Sequence, residues 1–178
     1  MTLIELKPRK ALNKAFLKVK PSRSDIESFK KNLVKLIDHI NEAESEEFHK
    51  NLVSHFLRET YYGSNHFINT KGWNDLVIHN GKDSKSSVGV ILETKKPTNK
   101  SEMIKADNLN TKAFQELLLY YLRERITAKN LEIKYLVATN IYEWFIFDAN
   151  VFERIFVQNK ALVKQFTDFE EKRLSDTR

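Results

Sequence analysis

Two carboxylates and a lysine interrupt what is otherwise an apolar strand pair. In WNDLVIHNGKDSKSSVGVILETKKP, residues 73–97, Asp75 lies two residues into a run rich in Val, Ile, Leu and Trp (73–79). Glu93, Thr94 and Lys95 close a second such run (88–95). Strand side chains alternate faces, so Glu93 and Lys95 share one side while Thr94 points to the other. The polar segment between the runs, with Gly81, Asp83 and a Ser/Lys cluster, reads as the turn region of a hairpin. A hairpin can bring the Asp75 carboxylate beside that of Glu93. Burying such charge is costly unless something compensates it. A hard divalent cation is one compensator, since it prefers carboxylate and carbonyl oxygens. A structural ion-pair cluster on a half-exposed strand is the other reading of the same residues.

Elements on both sides must hold that hairpin. Residues 1–23 form a basic arm with Lys7, Arg9, Lys10, Lys14, Lys18, Lys20 and Arg23, punctuated by Pro8 and Pro21. Within it, 11–17 can make two helical turns with Leu12 and Phe16 on one side. The arm reads equally as a phosphate-touching segment or a solvated tail. Ser24-Asp25-Ile26-Glu27 predicts a capping box, followed by helical spacing of Ile26, Phe29, Leu33, Leu36, Ile37 and Ile40 to about Asn41. A second helix is expected from Ser45, with Phe48, Leu52 and Phe56 in one stripe. Glu46 and Glu47 lie in its first turn, where the helix dipole favours acids. A short strand at 66–70 leads into the hairpin.

Beyond Pro97, Thr111 is expected to cap a long helix to about Ala128, its apolar stripe running from Phe114 to Ile126 with Gln115 beside it. Segments 134–139 and 143–147 read as strands joined by a tight link, and 151–157 and 161–174 as helices. Helices before, within and after a mixed sheet predict an α/β sandwich. Glu170, Glu171, Lys172, Arg173 and Ser175 continue a helix-compatible pattern without a Gly or Pro stop. Residues 175–178 are therefore read as the start of a connector to a larger parent protein.

At 178 residues the chain suits one domain with its own core. The absence of cysteine excludes disulfides, thiolate zinc sites and iron–sulfur clusters. No apolar run approaches the roughly 18–20 residues of a membrane-spanning helix. The opening MTLIELKPRK has no signal-peptide core, so a cytoplasmic location is expected. The five histidines show no HxxxH or HExxH spacing, and the four glycines form no phosphate cradle. A net charge of +6 suits a polyanionic partner. Trp73, Trp144, Phe145 and Phe147 read as core rather than as a base-stacking platform.

Taken together, Asp75, Glu93-Thr94-Lys95, the acidic helix before them and the Gln115 helix after them resemble the PD-(D/E)XK nuclease superfamily. The N-terminal endonuclease domain of type IIG restriction–modification enzymes is the member the chain is most similar to. The likeness runs through LNKAFLKVKPSRSDIESFKKNL, NTKGWNDLVI, ILETKKP, FQELLLYYLRE, KYLVATN and EWFIFD. Asn-Asp stands here where Pro-Asp is the family form. In some relatives a Tyr follows the Gln by four residues; Leu119 occupies that place here.

The resemblance implies a restriction-endonuclease-like three-layer sandwich over residues 24–174, with a central mixed sheet flanked by helices. It implies Asp75, Glu93, Lys95 and Gln115 as active-site residues. Asp75 and Glu93 would hold Mg²⁺, helped by the Thr94 main-chain carbonyl and by Glu47, with Glu46 an equal rival. Lys95 would orient the attacking hydroxide. The implied reaction is hydrolysis of double-stranded DNA to a 5′-phosphate and a 3′-hydroxyl. Methyltransferase and target-recognition domains would share the parent protein, and a transient dimer would serve double-strand cleavage. A non-catalytic DNA-binding or docking module of the same fold is the alternative.

Overall fold

Runs of Val, Ile and Leu at period two build the sheet, and capped amphipathic segments cover it. The computed structural model describes residues 3–72 and 74–173, so expectations for Trp73 and for the 175–178 connector lie outside the described residues. Five strands follow one another across the sheet in chain order: β1 (Ile68–Lys71), β2 (Asn74–His79), β3 (Val88–Thr94), β4 (Tyr135–Thr139) and β5 (Trp144–Asp148). Neighbours are antiparallel except β3 and β4, which run parallel. A parallel pair needs a crossover, and α4 (Lys112–Leu122) supplies it.

The alternation sorts the strands' side chains into two cores. Val77, Ile91, Leu136 and Ala138 pack with Ala113, Phe114, Leu117 and Tyr121 of α4, and with Phe152, Phe156 and Phe166 further along the chain. Leu76, Ile78, Leu92 and Val137 pack with Leu36 and Val53 from the two helices that precede the sheet. The protein is thus α/β, a five-stranded mixed sheet with helices on both faces. Phe147 stacks edge-on against Phe114, and Trp144 tilts against Phe56, which makes both part of the core as expected.

The helices differ from their sequence signals in informative ways. The arm forms only a single turn, α1 (Pro8–Ala11), and a 3-10 turn at Phe16–Lys18; Leu12 and Phe16 stay exposed. The two helical turns that the spacing of 11–17 allowed do not form, and with Leu12 and Phe16 more than half exposed little packing supports them. The first long helix, α2 (Arg23–Asp38), starts two residues earlier than expected. Its capping box uses Ser22 and Asp25, each side chain accepting from the other's backbone N–H. Ser45 caps α3 (Glu46–Leu57), accepting from the Phe48 N–H. Thr111 occupies the N-cap position of α4 but makes no capping bond, and its buried hydroxyl has no partner among the described residues. A π-helical turn at Arg123–Thr127 prolongs α4 to nearly its expected end. Two further helices, α5 (Ala149–Phe152, continued by a π turn at Glu153–Val157) and α6 (Lys160–Glu170), complete the fold.

Residues 11–13 border a cleft with Asn80, Lys134, Tyr135 and Asp148, at the end of the sheet where β4 starts and β5 stops. Among the described residues, no helix is long and apolar enough to cross a membrane.

Candidate active site

The opposite end of the sheet gathers the charged side chains. The antiparallel register Leu76↔Leu92 sets positions 75 and 93 opposite each other, where β2 begins and β3 ends. Asp75 Oδ2 accepts from the Thr94 N–H at 2.9 Å and from the Thr94 hydroxyl, while Oδ1 lies 3.3 Å from Lys50 Nζ on α3. Lys50 also pairs with Glu47, one turn earlier. Behind β2, the buried Glu124 braces the β1–β2 turn. It accepts from Lys71 Nζ at 2.8 Å and from Asn74 Nδ2 at 3.4 Å, holding the residue before Asp75.

Glu93 and Lys95 point to the same side, as alternation requires, and both are almost sealed at 2% and 3% exposure. Lys95 Nζ donates to Glu93 Oε1 at 2.6 Å and to Glu116 Oε2 at 2.7 Å, with Glu46 Oε1 at 3.5 Å. One ammonium therefore serves three carboxylates. Among the described residues, Glu93 Oε2 is buried and finds no hydrogen-bond partner. Burial, then the nearby Asp75 charge, pushes the Glu93 carboxyl up to about 9, against the pull of Lys95. Burial opposes the charge on Lys95, but Glu93, Glu116 and Glu46 hold it above the ordinary lysine range. Tyr120, one turn beyond Glu116, is likewise raised, first by burial and then by Glu93 and Glu116.

This excess of acid suits a cation. Among the described residues, Asp75, Glu93, Glu46, Glu47 and Glu116 pair with two ammonium groups, Lys50 and Lys95, and Glu93 leaves one buried oxygen unsatisfied. A divalent ion would satisfy that oxygen and remove the like-charge repulsion that lifts its carboxyl. The donor set is small: among the described residues no three His, Cys, Asp or Glu side chains form a ready-made metal cluster. Two carboxylates fit an ion such as Mg²⁺, which keeps several waters and needs only one or two acidic ligands.

Residues 6–178 match the family described as Domain of unknown function (DUF7149). The chain belongs to that family. No curated protein and no solved structure matches it.

In this DUF7149 domain, the residues expected at the site divide cleanly. Asp75, Glu93, Thr94 and Lys95 come together at the shared end of β2 and β3. Gln115 does not join them: it is exposed and donates to Asn110 Oδ1 at 2.9 Å. Its neighbour Glu116 turns inward instead, because the helix phase is set by the burial of Ala113 and Leu117. Thr94, read as pointing to the face opposite Glu93 and Lys95, holds Asp75 through both its N–H and its hydroxyl. The two rival acids of α3 both reach the cluster by different routes, Glu46 to Lys95 and Glu47 to Lys50. Sequence reasoning missed Lys50, Glu116, Tyr120 and Glu124. The spacing of Glu116, Tyr120 and Glu124, each four residues on, marks one polar line along α4 and was the available signal.

Proposed function

We propose that this domain is an Mg²⁺-dependent endodeoxyribonuclease with a restriction-endonuclease-like fold, the cleavage module of a type IIG-like restriction–modification protein. The observation that carries the reading is the unpartnered buried oxygen of Glu93, beside Asp75 and Lys95 at one strand end. A purely structural ion-pair cluster has no use for it, since an orphaned buried carboxylate oxygen destabilises the fold. The acidic β2–β3 hairpin, the long α4 and the second strand pair follow the order of the resembling family.

Asp75 and Glu93 would hold the ion, with the Thr94 main-chain carbonyl as a third oxygen. When bound, the ion lowers the pKa of a coordinated water and neutralises charge on the scissile phosphate. Lys50 holds Asp75 in place from α3. The Lys95 ammonium orients the attacking hydroxide and offsets charge on the phosphate's non-bridging oxygens. A new O–P bond forms as the bond from phosphorus to the 3′ oxygen breaks. The attacking water gives up one proton to solvent and the departing 3′ oxygen takes one from solvent, leaving a 5′-phosphate and a 3′-hydroxyl. One such site cuts one strand, so cutting both requires a second copy.

Nicking of supercoiled plasmid in Mg²⁺ tests the reading. Glu93→Ala and Lys95→Ala are expected to abolish it while leaving the circular dichroism spectrum unchanged. Cleavage by either variant at wild-type levels would remove the site from consideration. Calorimetric titration with Mg²⁺, Mn²⁺ and Ca²⁺ separates the nuclease from a non-catalytic DNA-docking module, which has no reason to bind a cation between Asp75 and Glu93.

A further inference from the structure

Lys95 has three carboxyl partners, Glu93, Glu116 and Glu46, and they are not equivalent. Glu93 Oε1 lies 2.6 Å from Nζ, Glu116 Oε2 2.7 Å and Glu46 Oε1 3.5 Å. If a divalent cation draws on Glu93, the ammonium keeps Glu116 at full hydrogen-bond strength and Glu46 only at the limit of contact. The two remaining acids also differ in support. Glu116 sits on α4 between Ala113 and Leu117, both fully buried. Glu46 lies in the first turn of α3, and its other oxygen is 3.4 Å from the Lys96 N–H. A lysine at 3% exposure that lost its counter-charge would be strongly destabilised and would swing toward solvent.

We propose that Glu116 is a positioning residue, which keeps the Lys95 ammonium directed at the space beside Glu93 while a divalent cation engages Glu93. The inference rests on the cation-dependent reading of the site and deepens it. Gln115, which the sequence resemblance favours, has no part in this device, since its side chain bonds Asn110 at the surface.

The test uses the 178-residue chain with Glu116→Gln, Glu116→Asp and, as control, Gln115→Ala. Three quantities are read: Mg²⁺ affinity by calorimetry, kcat and KM for plasmid nicking at saturating Mg²⁺, and the acetylation rate of Lys95 by mass spectrometry with and without Ca²⁺. For Glu116→Gln, Mg²⁺ affinity and KM are expected to stay near wild type. Its kcat should fall about 10- to 100-fold, as expected for loss of a charge-assisted hydrogen bond. Lys95 should become reactive in Glu116→Gln only when Ca²⁺ is present, and stay protected in wild type and Gln115→Ala under both conditions. Glu116→Asp keeps the charge at shorter reach and should fall between; it carries the test alone if Glu116→Gln does not fold. A kcat within twofold of wild type, or Lys95 protection unmoved by Ca²⁺ in both Glu116 variants, overturns the role of Glu116 alone. A wild-type protein that neither binds Mg²⁺ nor nicks DNA overturns the reading of the site, and this inference with it.

Discussion

Glu93 is the residue on which the site's electrostatics turn. Its carboxyl is raised from 4.5 to about 9 by burial and then by Asp75, so near neutral pH the ion-free folded protein holds a proton there that the unfolded chain does not. The sign follows from that difference. The contribution is fully present below about pH 4.5 and is lost progressively as pH rises toward 9. Thermal melts of the ion-free protein between pH 5 and 9 should therefore show a falling Tm, and Glu93→Gln should flatten that fall. An equally steep decline in the variant would mean that Glu93 is ionised throughout. Cation binding near neutral pH should likewise expel a proton from this carboxyl. Calorimetry of Mg²⁺ binding in buffers of different ionisation enthalpy measures that release.

At the scale of elements, two helices set the positions of the acids. The Ser45 hydroxyl fixes the first turn of α3, which carries Glu46 and Glu47. Ser45→Ala should cost about 1 kcal/mol in denaturant unfolding, the usual loss for an N-cap. It should also weaken Mg²⁺ binding, because the Glu47–Lys50–Asp75 chain starts at that turn. An unchanged midpoint would show that the cap is dispensable. α4 is held by packing, and Leu117, fully buried beside Glu116, is its anchor. Leu117→Ala should destabilise by roughly 2–5 kcal/mol. Gln115→Ala, at the exposed face of the same turn, should stay within about 0.5 kcal/mol of wild type.

On the scale of the whole molecule, residues 11–13 of the basic arm and the acids lie toward opposite ends of the sheet. Residues 11–13 lie beside Tyr135 and Asp148, whereas Glu93 and Thr94 pair with Ala138 and Thr139 at the other end of β4. Charges a strand length apart are well screened at physiological salt, where the Debye length is about 8 Å. Replacing Lys10, Lys14 and Lys18 together by Ala should therefore leave Mg²⁺ affinity and the single-turnover nicking rate within about twofold of wild type. A tenfold change in either would bring the arm to the site. The sequence left the arm's conformation open, because amphipathic spacing at Leu12 and Phe16 makes a helix where a surface buries that face, and both side chains stay exposed.

Alternation along β3 was sufficient to place Glu93 and Lys95 on one face, and the hairpin spacing to bring Asp75 opposite, since both follow from period-two geometry. The α/β class and the Ser45 cap were legible for the same local reason. Helix phase was not. A shift of one residue turns a side chain by about 100°, and both Gln115 and Glu116 flank the apolar stripe of α4. Only the burial of Ala113 and Leu117 against the sheet selected Glu116. Lys50, an ordinary helical lysine in sequence, became Asp75's partner because α3 packs across the end of β2. Local rules fix what each residue faces within its own element; the docking of elements fixes which charges meet.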